Sequence, residues 1–189
     1  MSEKLSSGDL LVAEYNYIAQ TIFQANEDRS RVASFYMITF GSFIAALITY
    51  RFDTGSGQQL WVLWAFAALF LALATMGVLT VMQLARLRHA WFEGLDAMNQ
   101  LKDYYVANLP GLEQAFAWRS GKAPQKFKVG SVGFMLVIQV SILGGASLGT
   151  AVFFAALAAS GSAWLLPALL VGVVFCLAQL DLYRNMLKK

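Results

Sequence analysis

Apolar residues fall into four long runs along the chain, at about 32–50, 60–84, 129–159 and 162–180, and polar residues collect between them. Each run has about the 20 residues that cross roughly 30 Å of hydrocarbon at 1.5 Å per residue. The pattern predicts an all-α membrane protein with four transmembrane helices in two hairpins. The first two runs are separated by Arg51-Phe52-Asp53-Thr54-Gly55-Ser56-Gly57-Gln58-Gln59 and the last two by Ser160-Gly161-Ser162, both turn-forming stretches that permit only tight connections. Both hairpin loops therefore lie on one side, with the termini and the 44-residue segment 85–128 on the other.

The polar segments carry a weaker apolar pattern of their own. Between Leu10 and Arg31, where neither Pro nor Gly occurs, Leu11, Tyr15, Ile18, Ile22 and Ala25 recur every three or four residues, a single helical stripe that Asp9 can cap. After the second run, Leu84, Leu87, Trp91, Met98, Leu101 and Tyr105 fall on heptad core positions, with Leu95 beside them and Gly94 as the one weak point. Pro110-Gly111 ends that helix, so the second span is expected to continue unbroken from about 60 to 108, roughly 70 Å. If the two stripes form an antiparallel cytoplasmic helical hairpin, residues at equal depth have numbers summing to about 117. Ile22 then meets Leu95, Ile18 meets Met98 or Asn99, Tyr15 meets Leu101 or Lys102, and Leu11 meets Tyr105 or Val106. Glu27 and Asp28 are brought beside Arg88 and His89, and Glu14 beside Lys102.

The expected organisation is a cytoplasmic amphipathic helix (1–31), a first transmembrane hairpin (32–84), a cytoplasmic extension and return segment (85–128), a second transmembrane hairpin (129–181) and a basic tail (182–189). In the return segment, Gly111–Arg119 reads as a short descending helix and 120–124 as an extended connector. The segment before the first run is polar and acidic and does not read as a cleavable signal peptide, so the first span is expected to serve as the insertion signal.

Composition agrees with lipid as the solvent. Of the 189 residues 58% are hydrophobic and 13% charged, about half the charged fraction of a soluble domain. Of the fourteen Lys and Arg, only Arg51 falls in a hairpin loop, and the excess of basic residues on the opposite side places that side in the cytoplasm. Phe35, Tyr36, Tyr50, Trp61, Trp64, Trp164 and Tyr183 are expected at the two interfaces. The net charge of +3 follows from this arrangement, and no nucleic-acid partner is expected. Phe116, Trp118 and Phe127, interleaved with Arg119, Lys122, Lys126 and Lys128, fit anionic lipid at the membrane surface.

Side chains suited to catalysis are scarce. His89 is the single histidine and Cys176 the single cysteine, so neither a His pair for haem nor a disulfide can form within one chain. No Gly-rich loop opens a helix after a strand. No enzymatic activity, catalytic residue, metal or cofactor is expected. The spans carry no charge at their centres, which disfavours ion-coupled transport. Gln139 is the polar residue noted inside a span, as an interhelix hydrogen-bonding or pore-constriction candidate. Asp181 at the inner edge has Arg184 as a candidate partner. Ser141, Gly145 and Gly149 recur every four residues, as do Gly41 and Ala45, giving two smooth strips for close helix approach. The first strip can join the two hairpins of one chain or join two chains.

A helix carrying Glu27-Asp28-Arg29-Ser30-Arg31 just before the first span, a two-span hairpin with a short loop and a long following helix together resemble the SLATT-type membrane effectors of bacterial nucleotide-signalled defence. The resemblance covers about residues 10–108 and is one of topology, and the second hairpin departs from the simplest two-span pattern. It implies an oligomer in the bacterial cytoplasmic (inner) membrane that perturbs the bilayer when an associated sensor signals. The resulting expectation is a non-enzymatic, pore-forming or membrane-perturbing effector, with a homo-oligomer and the lipid bilayer as partners. The alternative is a scaffold or accessory subunit of a larger membrane complex.

The charge distribution makes a direct prediction about topology. Single cysteines introduced at Ser2, Ala123, Lys189, Gly55 and Ser160 in a Cys176→Ala background should react with an impermeant thiol reagent outside intact cells only at Gly55 and Ser160. External labelling of Ala123 would reverse the assignment.

Overall fold

A computed structural model describes residues 7–49, 59–109, 111, 114, 116 and 125–188. The loop of the first hairpin, the N-terminal residues before Ser7, Lys189 and most of the return segment between Leu109 and Gln125 lie outside them. So do the expected descending helix and connector, apart from Gly111, Gln114 and Phe116. Among the described residues the chain forms four helices and no strand: α1 (Ser7–Thr49), α2 (Gln59–Asn108), α3 (Val132–Ser160) and α4 (Leu165–Lys188). Each contains a stretch long and apolar enough to cross a membrane, so the fold is that of a multi-pass α-helical membrane protein. Helices are the natural solution there, because lipid offers no partner for an unpaired backbone N–H or carbonyl.

α1 and α2 each run unbroken from a polar extension into a span. α2 stops two residues before Pro110, which restricts the residue preceding it to extended backbone. The second hairpin is bounded by local chemistry. Ser131 caps α3, its Oγ accepting from the Phe134 N–H at 3.3 Å, and Gly161 closes the other end at φ 68°, donating its N–H to the Leu157 carbonyl. α4 then continues to Lys188, so the segment expected as a basic tail is largely helical.

α3 is the central helix. It packs most extensively on α2 and then on α4, whereas α1 rests chiefly on α2 and to a smaller extent on α3. Towards the side of the termini, Ala33, Tyr36, Val81, Leu84, Val140 and Tyr183 form one buried cluster. Towards the hairpin loops, Phe154 lies against Phe66 and Phe70 with ring centroids 5.4 and 6.2 Å apart, within a second cluster that includes Leu73 and Ala151. Phe35, Trp61, Trp64 and Trp164 are exposed, as interfacial rings require. Tyr36 and Tyr183 turn inward and are buried, because the 3.6-residue period places them on the faces of α1 and α4 that meet the bundle.

The polar extensions of α1 and α2 pack side by side. Ile18 and Ala25 of α1 and Leu95, Met98 and Asn99 of α2 are buried, while Leu11, Ile22, Trp91, Leu101 and Tyr105 are half-buried. Tyr15 is 46% exposed and lies at the edge of the seam. Ile22 sits on Gly94, one residue from the expected Leu95, and the missing side chain of Gly94 makes the seat for it. The expected matches of Glu27 and Asp28 with Arg88 and His89 do not form. Glu27 and Asp28 pair with Arg31 on their own helix, at 3.5 and 3.8 Å, because i+3 and i+4 neighbours are nearer than the facing helix.

A Cβ on Gly94 would stand 3.9 Å from that of Ile22, within the range a disulfide requires. Ile22→Cys combined with Gly94→Cys should therefore crosslink readily under mild oxidation. Ile22→Cys combined with Tyr105→Cys should not, and the reverse result would mean a different register.

Candidate functional site

Three features distinguish the bundle from a simple stack of apolar helices: a glycine seam, a polar centre and a cationic collar. The seam joins α3 to α4. A Cβ built on Gly145 would stand 2.5 Å from the Gly172 carbonyl oxygen, and one on Gly172 would stand 2.7 Å from the Gly145 carbonyl oxygen. Each glycine thus directs the hydrogen it carries in place of a side chain at the other's carbonyl, a reciprocal Cα–H···O contact of the kind that small residues permit between membrane helices. One turn further along, Gly149 meets the Ala168 carbonyl at 2.9 Å by the same measure. The strip read from sequence therefore closes the second hairpin on itself. Along this seam α3 and α4, with Leu47 of α1, border an open apolar groove of about 580 Å³, lined by Gly145, Gly149, Phe153, Leu169, Gly172 and Cys176 among others.

The polar centre lies on the inner side of the same pair of helices. Gln179 of α4 is 2% exposed and extends against Gly144, where a Cβ would come within 2.6 Å of its Nε2. Neither end of its amide finds a hydrogen-bond partner among the described residues, and neither does the buried Ser141 hydroxyl. Nearby contacts belong to α1 and α2. The Tyr36 hydroxyl donates to the Leu73 carbonyl at 3.2 Å and lies beside Ser147, whose own hydroxyl donates to Leu143. Gly77 of α2 makes room for that hydroxyl and approaches the Gly144 backbone. Four helices thus place polar groups around one pair of glycines.

The collar lies where the helices leave the apolar bundle towards the termini. Arg88 is 7% exposed; its Nε donates to the Lys126 carbonyl at 3.3 Å, and its guanidinium lies 4.8 Å from the ring centroids of both Trp91 and Phe92. Arg29 reaches over the first turn of α3, where a Cβ on Gly133 would meet its Nη1 at 2.9 Å. Its Nη2 donates to Asn26, while Nη1 is enclosed without a partner. Burial lowers the pKa of Arg29, and the neighbouring positive charge of Arg88 lowers it further, with Tyr183 opposing. Burial lowers that of Arg88 as well, again opposed by Tyr183. The Tyr183 phenol is pushed up by burial, an effect that Arg88 and then Arg29 offset. His89 donates from Nε2 to the Met186 carbonyl at 2.9 Å and so ties α2 to the end of α4.

The remaining candidates fall outside these features. Gln139 is exposed on α3, facing away from the other helices of its own chain. Gly41 has no atom within 4 Å of where its Cβ would stand, and Ala45 is exposed beside it. Asp181 accepts from Asn185 at 2.8 Å in place of an ion pair with Arg184. Among the described residues no group of three or more His, Cys, Asp or Glu is placed to hold a metal ion. Gln179, Gly172 and Arg29 were missed in sequence. Gly172 follows Ala168 at the four-residue spacing already read on α3, and that signal was available.

Comparison with known proteins finds no match: no family model matches the chain, nor does any curated protein or solved structure.

The seam and the exposed strip should respond in opposite ways to bulk. Gly145→Leu forces a side chain into the Gly172 backbone, which cannot rotate aside, and should lower stability on the order of 3 kcal/mol in detergent unfolding measurements. Gly41→Leu meets nothing within the chain and should stay within about 0.5 kcal/mol of wild type.

Proposed function

We propose that the protein is a non-enzymatic membrane effector that assembles with copies of itself in the bilayer and permeabilises it, with both termini in the cytoplasm of a bacterial inner membrane. The observation that carries this reading is the open strip at Gly41 and Ala45. α1 is covered along one stripe by α2, and its smooth small-residue face is left for another helix. The bundle interior supports the same reading, because Tyr36, Phe70, Leu73, Val137 and Gln179 fill it, so a conducting path would have to lie between copies. A non-enzymatic role fits the single histidine being engaged by a backbone carbonyl. The alternative, a scaffold in a larger membrane complex, is favoured by the exposed rings of Tyr17, Phe23 and Tyr104 on the extension, which suit a docking protein.

Mass measurement in mild detergent and in nanodiscs, combined with dye release from vesicles, separates the two. The effector reading expects a defined homo-oligomer, and Gly41→Leu should reduce its size and at least halve dye release while leaving the fold intact. A wild-type protein that stays monomeric in both environments and releases no dye would replace it with the scaffold.

A further inference from the structure

The collar carries more positive charge than the chain balances. Buried charges in proteins are ordinarily paired, because desolvating an unpaired ion is costly. Here the Arg88 guanidinium is buried against the Lys126 carbonyl just before α3, Nη1 of the partly exposed Arg29 is enclosed at the first turn of α3, and among the described residues neither has a carboxylate partner. Glu27 and Asp28, the acids nearest in sequence to Arg29, are engaged by Arg31, and Asp181 is engaged by Asn185. Arg29 also lies over the first turn of α3, the positive end of that helix dipole, where a cation is disfavoured and an anion favoured. Arg86, Lys126 and Lys128 are exposed around the same level and add to the field.

We infer that Arg29 and Arg88 form a binding site for a phosphate group at the membrane surface. Arg29 is partly exposed, so the edge of its guanidinium is reachable from the headgroup layer, and its planar fork suits phosphate oxygens. Arg88 is fixed from behind by the Lys126 carbonyl and by the faces of Trp91 and Phe92, which hold its charge in place without neutralising it. Tyr183 of α4 is buried in the cluster that includes Ala33 of α1 and Leu84 of α2, so α4 reaches the same end of the bundle. The phosphate belongs either to an anionic lipid or to a soluble phosphate compound. The inference rests on the membrane placement of the fold and is independent of self-assembly.

The full chain, purified in a neutral detergent and stripped of lipid, is heated with phosphatidylglycerol, with phosphatidylcholine, or with inorganic pyrophosphate. A saturable rise in Tm of about 5 °C with phosphatidylglycerol alone identifies the site as one for a lipid headgroup. The same rise with pyrophosphate identifies a soluble phosphate compound. Arg29→Met should abolish the rise and, because it removes a partly buried charge with no carboxylate partner among the described residues, should itself hold or raise the Tm measured without anion. Arg184→Gln, an exposed change outside the collar, should leave the rise intact. No rise with phosphatidylglycerol or pyrophosphate, or an equal rise in Arg29→Met, would overturn the inference.

Discussion

Helices surrounded by lipid gain little by hiding apolar side chains from one another, since the hydrocarbon around them is equally apolar. What holds this bundle together is close contact, and the closest contact is that between the α3 and α4 backbones at Gly145 and Gly172. Because α3 also packs along α2, its successive glycines serve two neighbours. Gly144 admits the Gln179 amide and the α2 backbone at Gly77, whereas Gly145 and Gly149 admit the α4 backbone. The position of α4 set by this seam is what brings Tyr183 into the inner cluster and the Met186 carbonyl to His89.

The four spans and the continuation of α2 to Asn108 were legible in the sequence, because length and hydropathy decide them without knowledge of neighbours. The extension pair was also legible: two stripes and a depth rule put Ile22 within one residue of its seat on Gly94. The polar contacts were not. Glu27 and Asp28 faced Arg88 in the depth rule, yet geometry along one helix gives them Arg31 first. Gln139 and Gln179 both stand in apolar runs, and a run of apolar letters does not reveal which face of its helix is inward. The fourth apolar run ends at about residue 180, but α4 continues to Lys188, so Gln179 lies well inside a helix and on its buried face. Gly145 and Gly149 were recognised as a contact strip, but the pattern alone could not say that Gly172 and Ala168 were its partner.

Polar groups in this molecule occupy two levels with different chemistry. Within the spans they are neutral amides and hydroxyls, which can be withdrawn from water at modest cost when a carbonyl is near, as Tyr36 and Ser147 show. The ionised groups stand where the helices leave the apolar bundle. There the guanidinium of Arg88 still finds aromatic faces and a carbonyl, and that of Arg29 remains partly open. The transition from neutral to ionised partners along α1, between Tyr36 and Arg29, marks the level at which the bilayer surface is expected.

The unequal packing of the helices limits how copies of the chain could come together. α3 is covered by α2 on one side and by α4 on another, and its glycines are already filled by Gly172, Ala168, Gln179 and Gly77. A second chain using that seam would have to displace α4 and undo the contacts that α4 makes with α2 at His89. α1 carries no such obligation on the face that bears Gly41 and Ala45. It is also one unbroken helix with the extension that holds Ile18 and Ile22 against α2. An assembly built through α1 therefore leaves the folded chain intact, and it would orient the extension and the span of each copy together. Under the effector reading, a signal received on the extension would reach the membrane through that continuous helix without unfolding any part of the bundle.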